Sequence, residues 1–142
     1  MKQRGSTATA ALALVGLLTL GCAGDGSELA VMTGPSGPEP TLAWIQANIL
    51  TPRCTECHVP GGIGVMPMHT EQVSYNNLVN VYSVEINTLF RVEPFEPDNS
   101  YMVWKIEGRA GIVGDQMPLG RPPLDPEEIA LIREWIRLGA EP

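Results

Sequence analysis

Residues 53–60, Arg-Cys-Thr-Glu-Cys-His-Val-Pro, hold two of the chain's three cysteines and one of its two histidines. Shuffling the same composition gives Cys-x-x-Cys-His in only about 6 of 10,000 chains, so chance is a poor account of it. A fold built around this stretch must bring two thiols and an imidazole to one place and keep them usable there. That requirement constrains the chain more than its length or its ordinary apolar content does.

Two cysteines separated by two residues can capture the vinyl groups of a haem as thioethers, and the histidine that follows then presents its ring to the iron. Cys54 and Cys57 are the expected attachment points and His58 the proximal iron ligand, for one covalently bound haem c. Three rival chemistries fit less well. A thioredoxin-like dithiol calls for a βαβ setting, and no such pattern is visible. A zinc site calls for a fourth ligand and a second, separated pair. A disulfide across two residues would be strained and would leave His58 unexplained.

The N-terminus belongs to export rather than to the fold. Lys2 and Arg4 form a basic start, and Ala8 to Leu20 is apolar apart from Thr9 and Thr19, which suits a secretory signal and is short for a membrane span. Residues 18–22, Leu-Thr-Leu-Gly-Cys, resemble a bacterial lipoprotein lipobox with Cys22 as the acylated residue, although Thr19 and Leu20 depart from the usual pattern. Ordinary cleavage after Ala23 is the alternative and would discard Cys22. The leftover cysteine of an exported chain favours lipidation, and several acyl chains hold a protein to a membrane where one does not. The expected organisation is a signal peptide over residues 1–21, a flexible Gly/Pro-rich tether over 22–40, and a folded domain over 41–142.

Within that domain the pattern is helical. Thr41 caps a helix whose Leu42, Ile45 and Ile49 share a face, and Pro52 is expected to end it. Thr70 caps a short helix from Glu71 to Val79. Pro-Asp-Asn-Ser at 97–100 opens a third around Tyr101, Trp104 and Ile106, closed by Gly108. Asp125, Pro126 and Glu128 supply a cap, a first-turn proline and a capping box for the last. There Ile129, Ile132 and Ile136 form the apolar stripe, and Gly139 is the stop. Four helices joined by long Gly/Pro loops give a small all-α domain.

Iron has a second axial face. Met66, Met68, His69, Met102 and Met117 are the remaining candidates. Met117 stands in Gly-Asp-Gln-Met-Pro-Leu-Gly, a loop where no apolar period asks for a methionine, and it is the expected distal ligand. Met102 fits core packing on its helix, and His69 fits a solvated loop. For the haem propionates, Arg91 and Trp104 are the expected contacts, with Arg121 behind them. His58 is expected to donate its other ring proton to a backbone carbonyl.

Several of these segments together resemble the small single-haem class I c-type cytochrome domain of exported bacterial proteins. They are Arg-Cys-x-x-Cys-His after a first helix, Leu-Val-Asn-Val-Tyr-Ser at 78–83, Arg-Val-x-Pro at 91–94 and Pro-Asp-Asn-Ser-Tyr at 97–101. A Met-Pro follows, and then the ending LDPEEIALIREWIRLGA. The likeness runs in order over residues 42–140, with Met-Pro-Met-His at 66–69 as the departure. It implies a class I cytochrome c-like helical fold in which the first and last helices cross beside the haem.

Removing residues 1–21 leaves 7 basic and 16 acidic residues, a net charge of −9. Nucleic acid is excluded as a partner by that balance, and a basic-surfaced redox protein is favoured. The expectation is an electron carrier rather than an enzyme, on the periplasmic side of the cell envelope and anchored by lipid at Cys22. A haem-based sensor or peroxidase-like site with a weak distal ligand is the alternative, as is a small electron-transfer subunit of a larger dehydrogenase. If Cys22 is acylated, mass spectrometry should find the mature chain beginning at that residue with its acyl groups, and Cys22→Ser should release the protein from the membrane fraction. A mature N-terminus at Gly24 is the contrary result.

Overall fold

Helix α1 starts where Thr41 Oγ1 accepts the Trp44 N–H at 3.2 Å, a side-chain cap for one of the free donors of a first turn. The computed structural model describes residues 37–142; the expected signal peptide, Cys22 and the expected tether up to residue 36 lie outside the described residues. Gly37 to Pro40 have no regular structure. From there α1 runs over residues 42–53 as three consecutive pieces, an α-helical Leu42–Ile45, a π-helical Gln46–Leu50 and an α-helical Thr51–Arg53. Leu42, Ile45, Ile49 and Leu50 are buried along it.

Pro52 does not end this helix, contrary to expectation. The turn before it is widened, with the Thr51 N–H reaching back five residues to the Gln46 carbonyl. A wider turn draws the carbonyl that would meet the pyrrolidine ring away from it, and proline's missing N–H then costs little. The same turn holds Gln46, buried yet fully paired. Its Nε2 donates to Met68 O at 3.0 Å and to Thr51 Oγ1 at 3.1 Å, and its Oε1 accepts from Ser74 Oγ at 2.6 Å. One amide thereby ties α1 to the loop after the cysteines and to the next helix.

That next helix, α2, spans Glu71–Leu78, capped by Thr70, whose Oγ1 accepts from Val73 N–H at 3.3 Å. It stops one residue short of expectation because Val79 pairs in a parallel bridge with Val92 instead. A second isolated bridge, Tyr82 with Phe90, stacks their rings at 4.2 Å. These bridges fold the long connection back on itself without making a strand, so the described residues form a mostly helical, all-α arrangement.

A 3₁₀ turn at Pro97–Asn99 leads into α3, Tyr101–Glu107, which ends at Gly108 with φ +66°. The terminal helix α4, Pro126–Arg137, has the expected capping box, with Asp125 N–H donating to Glu128 Oε2 at 2.8 Å. Ile132 and Ile136 are buried as expected, Ile129 only partly, and Trp135 completes the buried face. Gly139 follows at φ +111°, its Cα against the Phe95 ring. Helix α4 touches both α3 and the start of α1, and the three share one core with Leu78, Val92 and Leu124. Among the described residues no helix is long and apolar enough to cross a membrane.

Ion pairs fasten α3 to α4. Arg133 of α4 reaches Asp98 Oδ1 at 2.9 Å and Glu107 Oε1 at 3.1 Å, and Arg109 reaches the same two carboxylates at 2.7 and 2.5 Å. Hydrogen bonds from Arg109 and then Arg133 hold the Asp98 carboxyl below its ordinary pKa. A depressed carboxyl adds stability above its unfolded pKa of about 3.9 and loses it as pH falls through the lower folded value. Asp98→Asn should therefore lower the melting temperature at pH 7 by a margin that is constant down to about pH 5 and shrinks below pH 4. High salt should reduce that margin, because the pair is exposed.

Candidate functional site

The cysteine motif follows α1 as hydrogen-bonded turns. Cys54 N–H bonds to Leu50 O at 2.9 Å, Cys57 N–H to Cys54 O at 3.1 Å and His58 N–H to Cys54 O at 2.9 Å. Cys54, Cys57 and His58 all line the same apolar cleft of about 300 Å³. Both thiols are free.

Burial pushes the Cys54 thiol up to about 11, against a smaller downward pull from Arg53 and with Glu128 and Cys57 adding to the rise. A dithiol oxidoreductase needs the opposite, an attacking cysteine with a lowered pKa. Among the described residues, no three His, Cys, Asp or Glu side chains are grouped to hold a bare metal ion. Cys54 is therefore set up as a protonated thiol on an apolar wall.

His58 is fixed by its second nitrogen. Nδ1 lies 2.9 Å from the Met66 carbonyl; only a protonated nitrogen can face that oxygen, so the neutral tautomer that fits carries its proton on Nδ1 and its lone pair on Nε2. The acceptor that the sequence left unidentified is thus Met66. The loop that supplies it is held by Gly64 N–H to Cys57 O at 2.9 Å and Met68 N–H to His58 O at 2.7 Å. Gly64 passes so close to the imidazole that a Cβ there would fall 2.5 Å from Nδ1. Met66 and Met68 are thereby tied through their backbones to the histidine's own segment. Met68 is buried in the core, and His69 is exposed.

Met117 lines the cleft from a different segment. Its N–H donates to Lys105 O at 2.9 Å, and Gln116 Nε2 donates to Ile106 O at 2.7 Å, so α3 carries the loop. Met102 and Ile106 also face the cleft, from α3. Trp104 does not line it. Two residues along a helix turn the side chain by about 200°, so the register that brings Met102 and Ile106 to the cleft takes Trp104 away. Its Nε1 donates instead to Asp98 O at 2.6 Å, and the Arg109 guanidinium lies 5.9 Å from its ring.

Arg91 does line the cleft. One Nη donates to Asn77 O at 2.8 Å, and Asn77 in turn donates to Pro67 O at 2.9 Å. Partial burial lowers its pKa, and among the described residues it has no carboxylate partner. The other three cleft cations all have one. Lys105 lies 3.5 Å from Glu85, Arg121 pairs with Glu56, and Arg53 is 4.0 Å from Glu128. Lys105 also donates to Val113 O at 2.7 Å, while the Tyr101 hydroxyl donates to Glu85 Oε2 at 2.7 Å and accepts from Val113 N–H at 3.0 Å.

The sequence reading missed Gly64, Gln46 and the Tyr101–Glu85–Lys105 cluster, and it gave Arg53 no role beyond its place in the Arg-Cys-x-x-Cys-His motif. The run Pro-Gly-Gly-Ile-Gly at 60–64 carried a signal for a close backbone approach; the others carried none. A haem fits these residues by donor chemistry: two thiols and a free imidazole nitrogen on one wall, a thioether on the loop facing the cleft from elsewhere, apolar side chains between, and one guanidinium without a counterion. No family model, no curated protein and no solved structure matches the chain.

Gly64→Ala should force the loop off the imidazole and cost about 1–3 kcal/mol in denaturant unfolding, the range for an overpacked site. Gly37→Ala, where a Cβ meets nothing within 4 Å, should leave the midpoint unchanged.

Proposed function

We propose that this chain is a single-haem class I c-type cytochrome that carries electrons in the bacterial cell envelope. One observation carries the reading: Cys54, Cys57, His58 and Met117 line a single apolar cleft although the last is remote in sequence. When bound, the haem supplies one-electron chemistry at its iron. Cys54 and Cys57 would hold it by thioether bonds, which suits an exported protein that must not lose its cofactor. His58 Nε2 and the Met117 sulfur would hold its iron.

The chain's own groups do the rest. The bond to Met66 O orients His58 and makes Nε2 a better donor. Ile106, Met102 and Leu78 keep water from the interior of the cleft. Arg91 keeps guanidinium donors free for a propionate, since a half-buried cation without a counterion is costly. No other histidine lines the cleft, so the site has no imidazole beyond His58 to act as an acid or base, and transport of electrons suits it better than catalysis. A lipid anchor at Cys22 would keep the carrier at the membrane. The acidic surface would favour a basic-surfaced partner.

Expression with c-type haem maturation machinery should give a red protein whose mass exceeds that of the mature chain by one haem and whose colour survives denaturation. Extraction of all haem into acid–acetone would overturn the reading. In the ferric protein, Met117→Ala should abolish the weak far-red band of sulfur–iron bonding, lower the potential and open the iron to CO. Met68→Ala should keep the band while costing about 2–5 kcal/mol of stability, as a buried core truncation does.

A further inference from the structure

Two side chains at the cysteine turn reach across to the segment that carries Met117. Arg53, the last residue of α1, donates from one Nη to Pro123 O at 2.9 Å and to Pro122 O at 3.3 Å. Three residues on, Glu56 pairs with Arg121. At the other end of the same segment, the Met117 N–H is held by Lys105 O at 2.9 Å. Residues 117–123 thus form a span fastened at one end to α3 and at the other to the turn bearing Cys54.

The span has little to hold it otherwise. Pro118, Pro122 and Pro123 have no N–H to give, and inside the span the backbone makes one hydrogen bond, Arg121 N–H to Pro118 O at 3.3 Å. Leu119 is half exposed. Consecutive proline carbonyls are acceptors that a rigid, planar guanidinium suits, and a charged donor makes the stronger hydrogen bond.

We infer that Arg53 is a positioning residue for Met117: by holding the Pro122 and Pro123 carbonyls it sets how often the span lifts and takes the thioether off the iron. Arg121 and Glu56 assist from the exposed edge. The inference rests on the haem reading above and adds to it a determinant of distal-ligand lability in the segment next to the proximal attachment.

The test is the rate of CO binding to the ferrous holoprotein, since CO enters only when Met117 leaves. Met117→Ala sets the rate for an open iron. Arg53→Met should bind CO about tenfold faster than wild type, as expected for losing a charged hydrogen bond that opposes local opening, with haem content by mass unchanged. Arg53→Lys, which keeps the charge on a side chain one bond shorter than the Nη it replaces, should fall between. Glu56→Gln and Arg121→Gln should each give a smaller increase that vanishes at about 0.5 M salt, where the exposed pair is screened. Arg137→Gln, whose partner Glu134 lies on the same helix away from the cleft, should match wild type.

A wild-type CO rate in Arg53→Met, with Met117→Ala fast, overturns the positioning role and leaves the ligand assignment standing. A slow Met117→Ala overturns the assignment and the inference with it. Should Arg53→Met fail to mature, Arg53→Lys decides alone: a rate equal to wild type sinks the inference.

Discussion

The hydrogen bond between His58 Nδ1 and the Met66 carbonyl is the constraint on which the cleft depends. It selects the neutral tautomer with its proton on Nδ1, and it recruits residues 59–68 to hold the ring. Those residues can approach only because position 64 has no side chain. The loop is anchored in turn by Gln46, whose amide bonds to Met68 O from inside a helix that had to widen to accept Pro52. A proline in the helix, a buried amide, a glycine and an imidazole form one chain of dependence. The thiols of Cys54 and Cys57 stand at its start.

Much of this architecture was legible from the sequence because its signals are local. Thr41, Thr70 and Asp125 announce helix starts through side-chain oxygens that act within three residues, and Gly108 and Gly139 mark ends through backbone conformations other residues avoid. That Met117 lines the cleft was legible for a similar reason: it lay in a loop where no apolar period asked for a methionine. What was not legible depends on register between distant segments. Trp104 and Met102 are equally plausible neighbours of a cofactor on paper, and only the rotation of α3 against the core separates them. Pro52 looked like a stop because proline usually is one, and the remedy adopted here, a turn wound one residue wider, leaves no mark in composition.

The cleft's polar groups follow a consistent rule. Lys105 is buried but has a carboxylate and a carbonyl within reach; Tyr101 both gives and takes a hydrogen bond; Arg121 and Arg53 have acids nearby. Buried charge is tolerated where it is paired. Arg91 departs from that rule, with a carbonyl but no anion. Among the described residues of the wall, the one charged group without an opposite charge nearby is also the one whose burial depresses its pKa. Haem propionates would supply the charge it lacks, in keeping with the occupant proposed from the donor atoms.

The contact between the first helix and the last has a consequence for how the protein is made. Leu42 and Ile45, near the beginning of the domain, lie in one core with Ile132 and Ile136, near its end. A chain synthesised from its N-terminus cannot complete that core until the final helix has emerged. Joining ends so far apart adds little entropy beyond what a shorter loop would cost, because closure grows only with the logarithm of length; the delay is one of timing rather than energy. Until then the core is incomplete, and Cys54 and Cys57 stay accessible before the wall around them closes.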